Sequence, residues 1–319
     1  MTRMLIAIVA ALGLAGSGGE AWAWPTKPVR MVVPYGAGST TDIVPRAMTE
    51  QLSARLGQPV LIENRPGAGG TVGAAMVAKA EPDGHTVLVN SSAHVIAPAL
   101  HPALGYRAAD DFVAVIPLGI SPNVLVVPPG RFRTARDLAA AAKTRPGALN
   151  FSSVGAGTAT HISAERFRFS AGIDVVHVPF KGGAEAMTEV IAGRIDFFFG
   201  PVGLVLPSVS EGRLTALAVN GTARAAALPD VPTTREAGFP DAEYPIWFGL
   251  FLPSKTPADI VARLHRETRA ALATPAVRER FASLGVDPME LSADAFDARV
   301  RAEIAINAAL VKAVGLTAP

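Results

Sequence analysis

Cysteine is absent from the 319-residue sequence. That excludes disulfide staples, thiolate nucleophiles, thiolate metal sites and a lipid anchor on a cysteine behind an export signal. Charge of one sign is scarce: 29 Lys and Arg stand against 27 Asp and Glu, with no basic run, which argues against a nucleic-acid partner. Beyond the N-terminal stretch no long unbroken apolar run occurs, so the mature chain reads as soluble. Catalytic signatures are missing as well, with no G-x-S-x-G elbow, no H-E-x-x-H and no G-x-x-x-x-G-K-[ST]. The run Gly155-Ala156-Gly157-Thr158-Ala159-Thr160 keeps two glycines of a dinucleotide fingerprint but puts Thr where the third belongs. Histidines at 85, 94, 101, 161, 177 and 265 do not pair at helical ligand spacing, so neither a metal nor a cofactor is expected.

What is present is a globular composition, 50% hydrophobic and 18% charged, long enough for about two domains. Residues 1–23 read as a secretory signal: Arg3 is the positive start, Leu5 to Ala15 the apolar stretch, and Ala21-Trp22-Ala23 the small-x-small site. An uncleaved anchor is the competing reading, but the apolar stretch is shorter than the ~20 residues a span needs. Cleavage after Ala23 delivers an exported, periplasmic chain beginning Trp24-Pro25.

The rest is arranged around Val29 to Arg46. The apolar run Val29 to Val33 suits a strand buried on both faces of a parallel sheet. Pro34 and a loop of glycines and hydroxyls follow, and Asp42 opens an amphipathic helical segment that runs to Leu56 and ends at Gly57. Loops in this position lie where open α/β sheets place ligands, and the next helix turns its positive dipole end toward them. Any βα turn needs such residues for capping alone, so the loop taken singly fits a plain turn equally well. The pattern recurs, however. Leu149 to Ser152 opens into Ser153 to His161 before a helix, and Val175 to Pro179 into Phe180-Lys181-Gly182-Gly183 before another. His85 to Val89 empties into the small, polar run Asn90-Ser91-Ser92-Ala93-His94.

Alternation of strand, turn and helix predicts an α/β fold with helix-covered sheets. Asn123 to Val127 reads as a strand near a domain crossing, Thr134 with Asp137 and Thr233 with Glu236 as helix-cap pairs, and Pro245 to Leu252 as a buried return strand. Capped helices at Thr256, Thr274 and Ser292 close the chain.

The loops share one capability: presenting neutral N–H and O–H donors to negative charge. Hydrogen bonds to a charged group contribute about 1.5–3 kcal/mol each and a helix N-terminus about 0.3–1 more. Four or so such bonds, less the cost of association, reach the roughly −8 kcal/mol of a micromolar complex. Binding is accounted for without any reaction.

Several stretches together resemble the Bug family, the extracytoplasmic solute receptors of tripartite tricarboxylate transporters. They are Trp24 to Arg30, Val33-Pro34-Tyr35-Gly36-Ala37-Gly38-Ser39-Thr40-Thr41-Asp42, Glu63 to Gly70, Pro82-Asp83-Gly84, Val178-Pro179-Phe180-Lys181-Gly182 and Gly193-Arg194-Ile195-Asp196. The resemblance implies a two-lobed periplasmic binding protein (type II, Venus-flytrap) with a mixed sheet in each lobe, residues 24–124 and 229–319 forming lobe 1 and 125–228 lobe 2. It also implies a monomer that closes over a small mono- or dicarboxylate and delivers it to integral membrane subunits. An exported α/β enzyme and a receptor for a sensor system are the other readings. Implied ligand contacts are Tyr35, Gly38, Ser39, Thr40, Thr41 and Asp42 in the first loop and Ser153, Gly155, Gly157, Thr158 and His161 in the second. Ser91, Ser92, His94, Phe180, Lys181, Gly182 and Asp196 complete the candidate set. His161 and Lys181 each keep an alternative, a backbone hydrogen bond for the one and simple solvation for the other. Where the family usually has Pro-Gly-Gly, this chain has Ala37-Gly38-Ser39.

Overall fold

The computed structural model describes residues 24–101, 103–244 and 246–314, so the signal expected at residues 1–23 lies outside them. The first part of the chain gives β1 (Val29–Val33), α1 (Thr40–Arg46), α2 (Thr49–Leu56), β2 (Val60–Asn64), α3 (Thr71–Ala78), β3 (Thr86–Ser91), α4 (Ala93–Leu100) and β4 (Phe112–Ser121). The middle gives β5 (Asn123–Val127), α5 (Ala135–Thr144), β6 (Asn150–Ser153), α6 (Ala159–Ala171), β7 (Val176–Pro179), α7 (Gly183–Ile191), β8 (Phe197–Pro201), α8 (Val202–Ser210) and β9 (Thr215–Val219). β10 (Ile246–Pro253), α9 (Ala258–Leu272), α10 (Pro275–Ser283) and α11 (Ala293–Val314) finish it.

Two sheets result, in the orders β2-β1-β3-β10-β4 and β7-β6-β8-β5-β9. Each holds a parallel trio, β2-β1-β3 and β7-β6-β8, extended by antiparallel pairing of β10 with β3 and β4 and of β5 with β8 and β9. The mixed sheet expected in each lobe is therefore observed. Apolar runs do what their composition requires and bury both faces. Phe197 and Phe199 join Phe167 and Phe151 in one core, while Phe198 points through the sheet to Val124 and Val126 in another.

Three features differ from the expectation. The single helix read from Ile43 to Leu56 is two, parted at Ala47-Met48 just after Pro45, which has no N–H to give the helix ladder. β4 and α8 carry no sharp turn signal and went unread. Residues just past 229 still pack on the second sheet, where Thr233 bridges Val219. Phe239 and Ala242 are buried in the second lobe's core, where Phe239 meets Phe167 edge-on with ring centroids 5.0 Å apart.

The crossings are tied to one another. Asn123 N–H donates to Asn220 Oδ1 (2.7 Å), Asn220 N–H returns a bond to Asn123 O (2.9 Å), and Tyr244 N–H donates to Asn220 O (2.8 Å). Both asparagine amides also donate to Ser163 Oγ of α6, at 3.1 and 2.8 Å. These bonds fix the hinge end of the space between lobes.

Candidate functional site

β1 and β6 each run out into a glycine loop, and the loop after β6 approaches the elements that follow β2 and β3. A Cβ on Gly157 would stand 3.1 Å from Leu100 Cδ1 of α4, and one on Gly69 would stand 3.6 Å from the Ala156 carbonyl. Ile162 and Ala159, in the first turns of α6, belong to the same hydrophobic cluster as Tyr35 and Leu100 of the opposite lobe. The first N–H groups of α1 and α6 have no acceptor within their own helices.

The first loop is shaped by Asp42. Its carboxylate accepts Gly38 N–H (2.8 Å), Arg46 Nε (2.9 Å) and Asn64 Nδ2 (2.9 Å), and the same amide donates to Tyr35 O (3.0 Å). Burial alone would raise the Asp42 pKa, but the bonds from Arg46, Gly38 and Asn64 hold it below the ordinary carboxylate range. An anion turned inward in this way scaffolds the loop and would repel an anionic guest, which corrects its place among the contacts. Ser39 is the residue before α1, yet its side chain makes no capping bond and its Oγ is buried without a partner. Tyr35 donates from its hydroxyl to Gly69 O (3.3 Å).

The second loop is braced from within. Gly155 N–H donates to Ser153 Oγ (3.0 Å), which shares a 2.6 Å bond with His177 Nε2, and Thr158 Oγ1 donates to Gly155 O (2.6 Å). Gly157 N–H donates to His161 Nδ1 (3.1 Å). His161 therefore takes the backbone alternative and supports the loop from below, as Ser153 does. Burial pushes His161 down to about 3, helped by the His177 ring, whose centroid lies 4.2 Å away, and by Arg168.

A pH dependence follows. The His161 folded pKa lies below the unfolded value of about 6.5, so its contribution is complete above that pH and is lost as the pH falls toward the folded pKa. His177, lowered by burial, acts in the same direction. The wild type is expected to lose on the order of 1 kcal/mol per pH unit below about 6.5. His161→Gln, which keeps an acceptor for Gly157 N–H, should fold at neutral pH and show a shallower acid slope in thermal melts. An unchanged slope would overturn this assignment.

Two more candidates are corrected. His94 is fully buried in a box of Tyr106, Phe112 and Phe251, with Nε2 beside Ala108 O (3.2 Å), and burial lowers it to about 4. It is a core histidine. Asp196 precedes β8, which runs parallel to β6, so it lies at the edge of the sheet opposite the loops. Its carboxylate accepts Asn150 N–H (2.7 Å) and pairs with Arg131.

The remaining candidates lie near the two loops. Phe180 N–H donates to Ser153 O (2.9 Å), and a Cβ on Gly183 would stand 3.9 Å from Val154, which sets the Phe180-Lys181-Gly182 segment beside the second loop. Lys181 is exposed, and only its backbone N–H, donating to Glu185 Oε2 (3.3 Å), is engaged. Ser91 ends β3 next to Tyr35, its Oγ accepting Ala93 N–H (3.3 Å), and Ser92 is the residue before α4. Sequence reasoning missed Asn64 and His177 as loop supports and Tyr244 at the crossing. A Tyr beside a return strand gives no signal, but the Asn64 position at the end of β2 did. A cavity of about 520 Å³ between β4, α9, α10 and the 286–292 segment shares none of these loop residues. Among the described residues no group of three or more His, Asp or Glu is placed to hold a metal, and no helix is long and apolar enough to cross a membrane.

Comparison with known proteins finds relatives in both sequence and fold. The profile of the family described as Tripartite tricarboxylate transporter family receptor (TctC) matches residues 44–316. BugT of Bordetella pertussis (strain Tohama I) is 33% identical over 320 residues, spanning 99% of this chain and 98% of the relative. MatC of Rhodopseudomonas palustris, solved with bound malate, superposes with a TM-score of 0.83 at 34% identity, covering 90% of this chain and 99% of that one. A second R. palustris protein, solved with adipate, gives 0.84 at 32% identity, covering 92% and 98%.

Proposed function

Because the chain belongs to the tripartite tricarboxylate transporter receptor family, whose relatives include Bug proteins, we propose that it is a periplasmic receptor closing two lobes over a small carboxylate. It hands that ligand, unchanged, to integral membrane subunits. What supports the reading is the close approach of the neutral second loop to the opposite lobe, where a Cβ on Gly157 would stand 3.1 Å from Leu100 Cδ1. Helix-start N–H groups and hydroxyls suit a carboxylate, and the relatives solved with malate and adipate are of that chemistry.

The ligand carries one or two carboxylates rather than three. Lys181 is the one cation among the candidate residues, and a third buried carboxylate would lack a counter-charge. Calorimetry on the mature chain is expected to give a single site of about micromolar affinity for a mono- or dicarboxylate, with citrate weaker. Citrate ranking first would overturn the reading. Ligand recovered chemically altered after denaturing the protein would favour an enzyme instead. Mass spectrometry of exported protein should find a chain beginning at Trp24.

A further inference from the structure

The cavity of about 520 Å³ on the first lobe is a groove with a buried apolar floor. Ile116 and Leu118 of β4, Phe281 of α10 and Val286 form that floor, none of them more than 4% exposed. Leu272 of α9 and Met289 are half-buried at its sides. One wall is the 286–292 segment, which is tied down at two points. Asp287 N–H donates to Ile120 O (2.8 Å) and Ile120 N–H returns a bond to Asp287 O (2.9 Å), while His265 Nε2 of α9 lies 3.3 Å from Leu291 O. Residues 288–290 run between these ties along the edge of the groove. The groove is therefore part of the folded lobe and needs no partner to shape it.

Opposite charges stand on opposite walls. Arg269 of α9 and Arg278 of α10 line the helical side, and Asp287 and Glu290 line the segment. All four are exposed, and none makes an ion pair among the described residues, although Glu267 on the same helix is taken by Arg55 and Arg266. Two guanidiniums and two carboxylates thus border an apolar trough without neutralising one another. An apolar body gains from leaving water in such a trough, and charges at the rim then sort its polar ends. A plain anion attracted by the arginines is repelled by the segment, and a plain cation meets the reverse. A molecule carrying both charges on an apolar body satisfies both walls. Grooves of roughly 300–1,000 Å³ take small molecules, and this one has room for an apolar dipeptide.

We propose that this groove is a second binding site, for a zwitterion with an apolar body, its carboxylate toward Arg269 and Arg278 and its ammonium toward Asp287 and Glu290. Every element that forms it belongs to the first lobe. The assignment therefore stands apart from the space between the lobes and from the ligand proposed there.

The test is a methyl NMR titration of the mature chain with three probes: leucyl-leucine, its N-acetyl derivative, which keeps only the negative charge, and its C-terminal amide, which keeps only the positive one. Leucyl-leucine should shift the methyl signals of Leu118, Leu272 and Met289 saturably, with a Kd on the order of 0.1–1 mM. Each single-charge analogue should bind about fivefold more weakly. Arg269→Gln with Arg278→Gln should bring leucyl-leucine down to the affinity of the amide and leave the amide within about twofold. Asp287→Asn with Glu290→Gln should do the same with respect to the N-acetyl derivative. These side chains are exposed, so unchanged methyl signals elsewhere should certify the fold of each variant. Gly157→Val, which acts between the lobes, should leave the groove titration as it is. No saturable shift at the groove, equal affinity for the three probes, equal losses for both analogues in either double variant, or shifts that vanish in Gly157→Val would overturn the site.

Discussion

Gly157→Val is expected to abolish ligand binding, by about a hundredfold or more, while both lobes stay folded. Gly157 has a φ of +76°, in the left-handed region, and its N–H is held by His161 Nδ1 at 3.1 Å. A residue with a Cβ in that region costs about 1–2 kcal/mol, and a β-branched one is a true outlier there. The added Cβ would also stand 3.1 Å from Leu100 Cδ1, and valine's methyl groups extend beyond it. Leu100 is buried in the first-lobe core and has little room to retreat. The substitution therefore acts on the approach of the lobes, since each contact partner belongs to a different one. Withdrawal of the loop by an ångström or two removes two or more donor bonds to the ligand, each contributing about 1.5–3 kcal/mol. Gly105→Val is the control: a Cβ there meets nothing within 4 Å and its φ is not positive, so binding should be unchanged. Small-angle scattering with a verified ligand should show compaction for wild type and Gly105→Val but none for Gly157→Val. Wild-type affinity with normal compaction in Gly157→Val would sink the two-lobe grip.

Local chemistry in the sequence was legible wherever it needed only neighbours along the chain. The apolar runs of β1 and β6 and the loops behind them were read where they stand. Thr134 and Asp137 form a reciprocal capping box, and Thr233 with Glu236 makes the same paired bonds at 3.1 and 2.7 Å. Antiparallel strands were harder, because their partners are remote: β10 pairs with β4 across more than a hundred residues, and β4 carries Pro117 and Gly119 in an otherwise apolar run. Asp196 could have been rejected from the sequence. It precedes its strand, and ligands of parallel sheets gather at the opposite ends. The direction of Asp42, His161 and Ser153 could not have been read. Whether a polar group faces the guest or braces the loop is decided by about 3 Å of backbone placement, to which residue identity is blind.

Asp42→Asn carries the second large effect, an expected loss of about 2–4 kcal/mol of stability with binding weakened tenfold or more. The side chain is 2% exposed and its two oxygens serve three donors: Oδ2 takes Gly38 N–H, and Oδ1 takes Arg46 Nε and Asn64 Nδ2. An amide has one acceptor oxygen. If it serves Arg46 and Asn64, its NH₂ confronts Gly38 N–H; if it serves Gly38, two donors are stranded. Either way Gly38 or its supports shift, and the first loop loses its shape. The charge has its own signature. The folded pKa of Asp42 lies below 3.8, so its contribution is complete above that pH and is lost as the pH falls through the folded value. Denaturant titrations should therefore find the gap between wild type and Asp42→Asn widest near neutrality and narrowing below pH 4. Asp83→Asn is the comparison. That carboxylate pairs with Lys27 at 3.0 Å and is 41% exposed, so its loss should cost under about 1 kcal/mol and leave binding untouched. A gap for Asp42→Asn that stays constant from pH 7 to pH 3 would mean that shape, and not the buried negative charge, holds the loop.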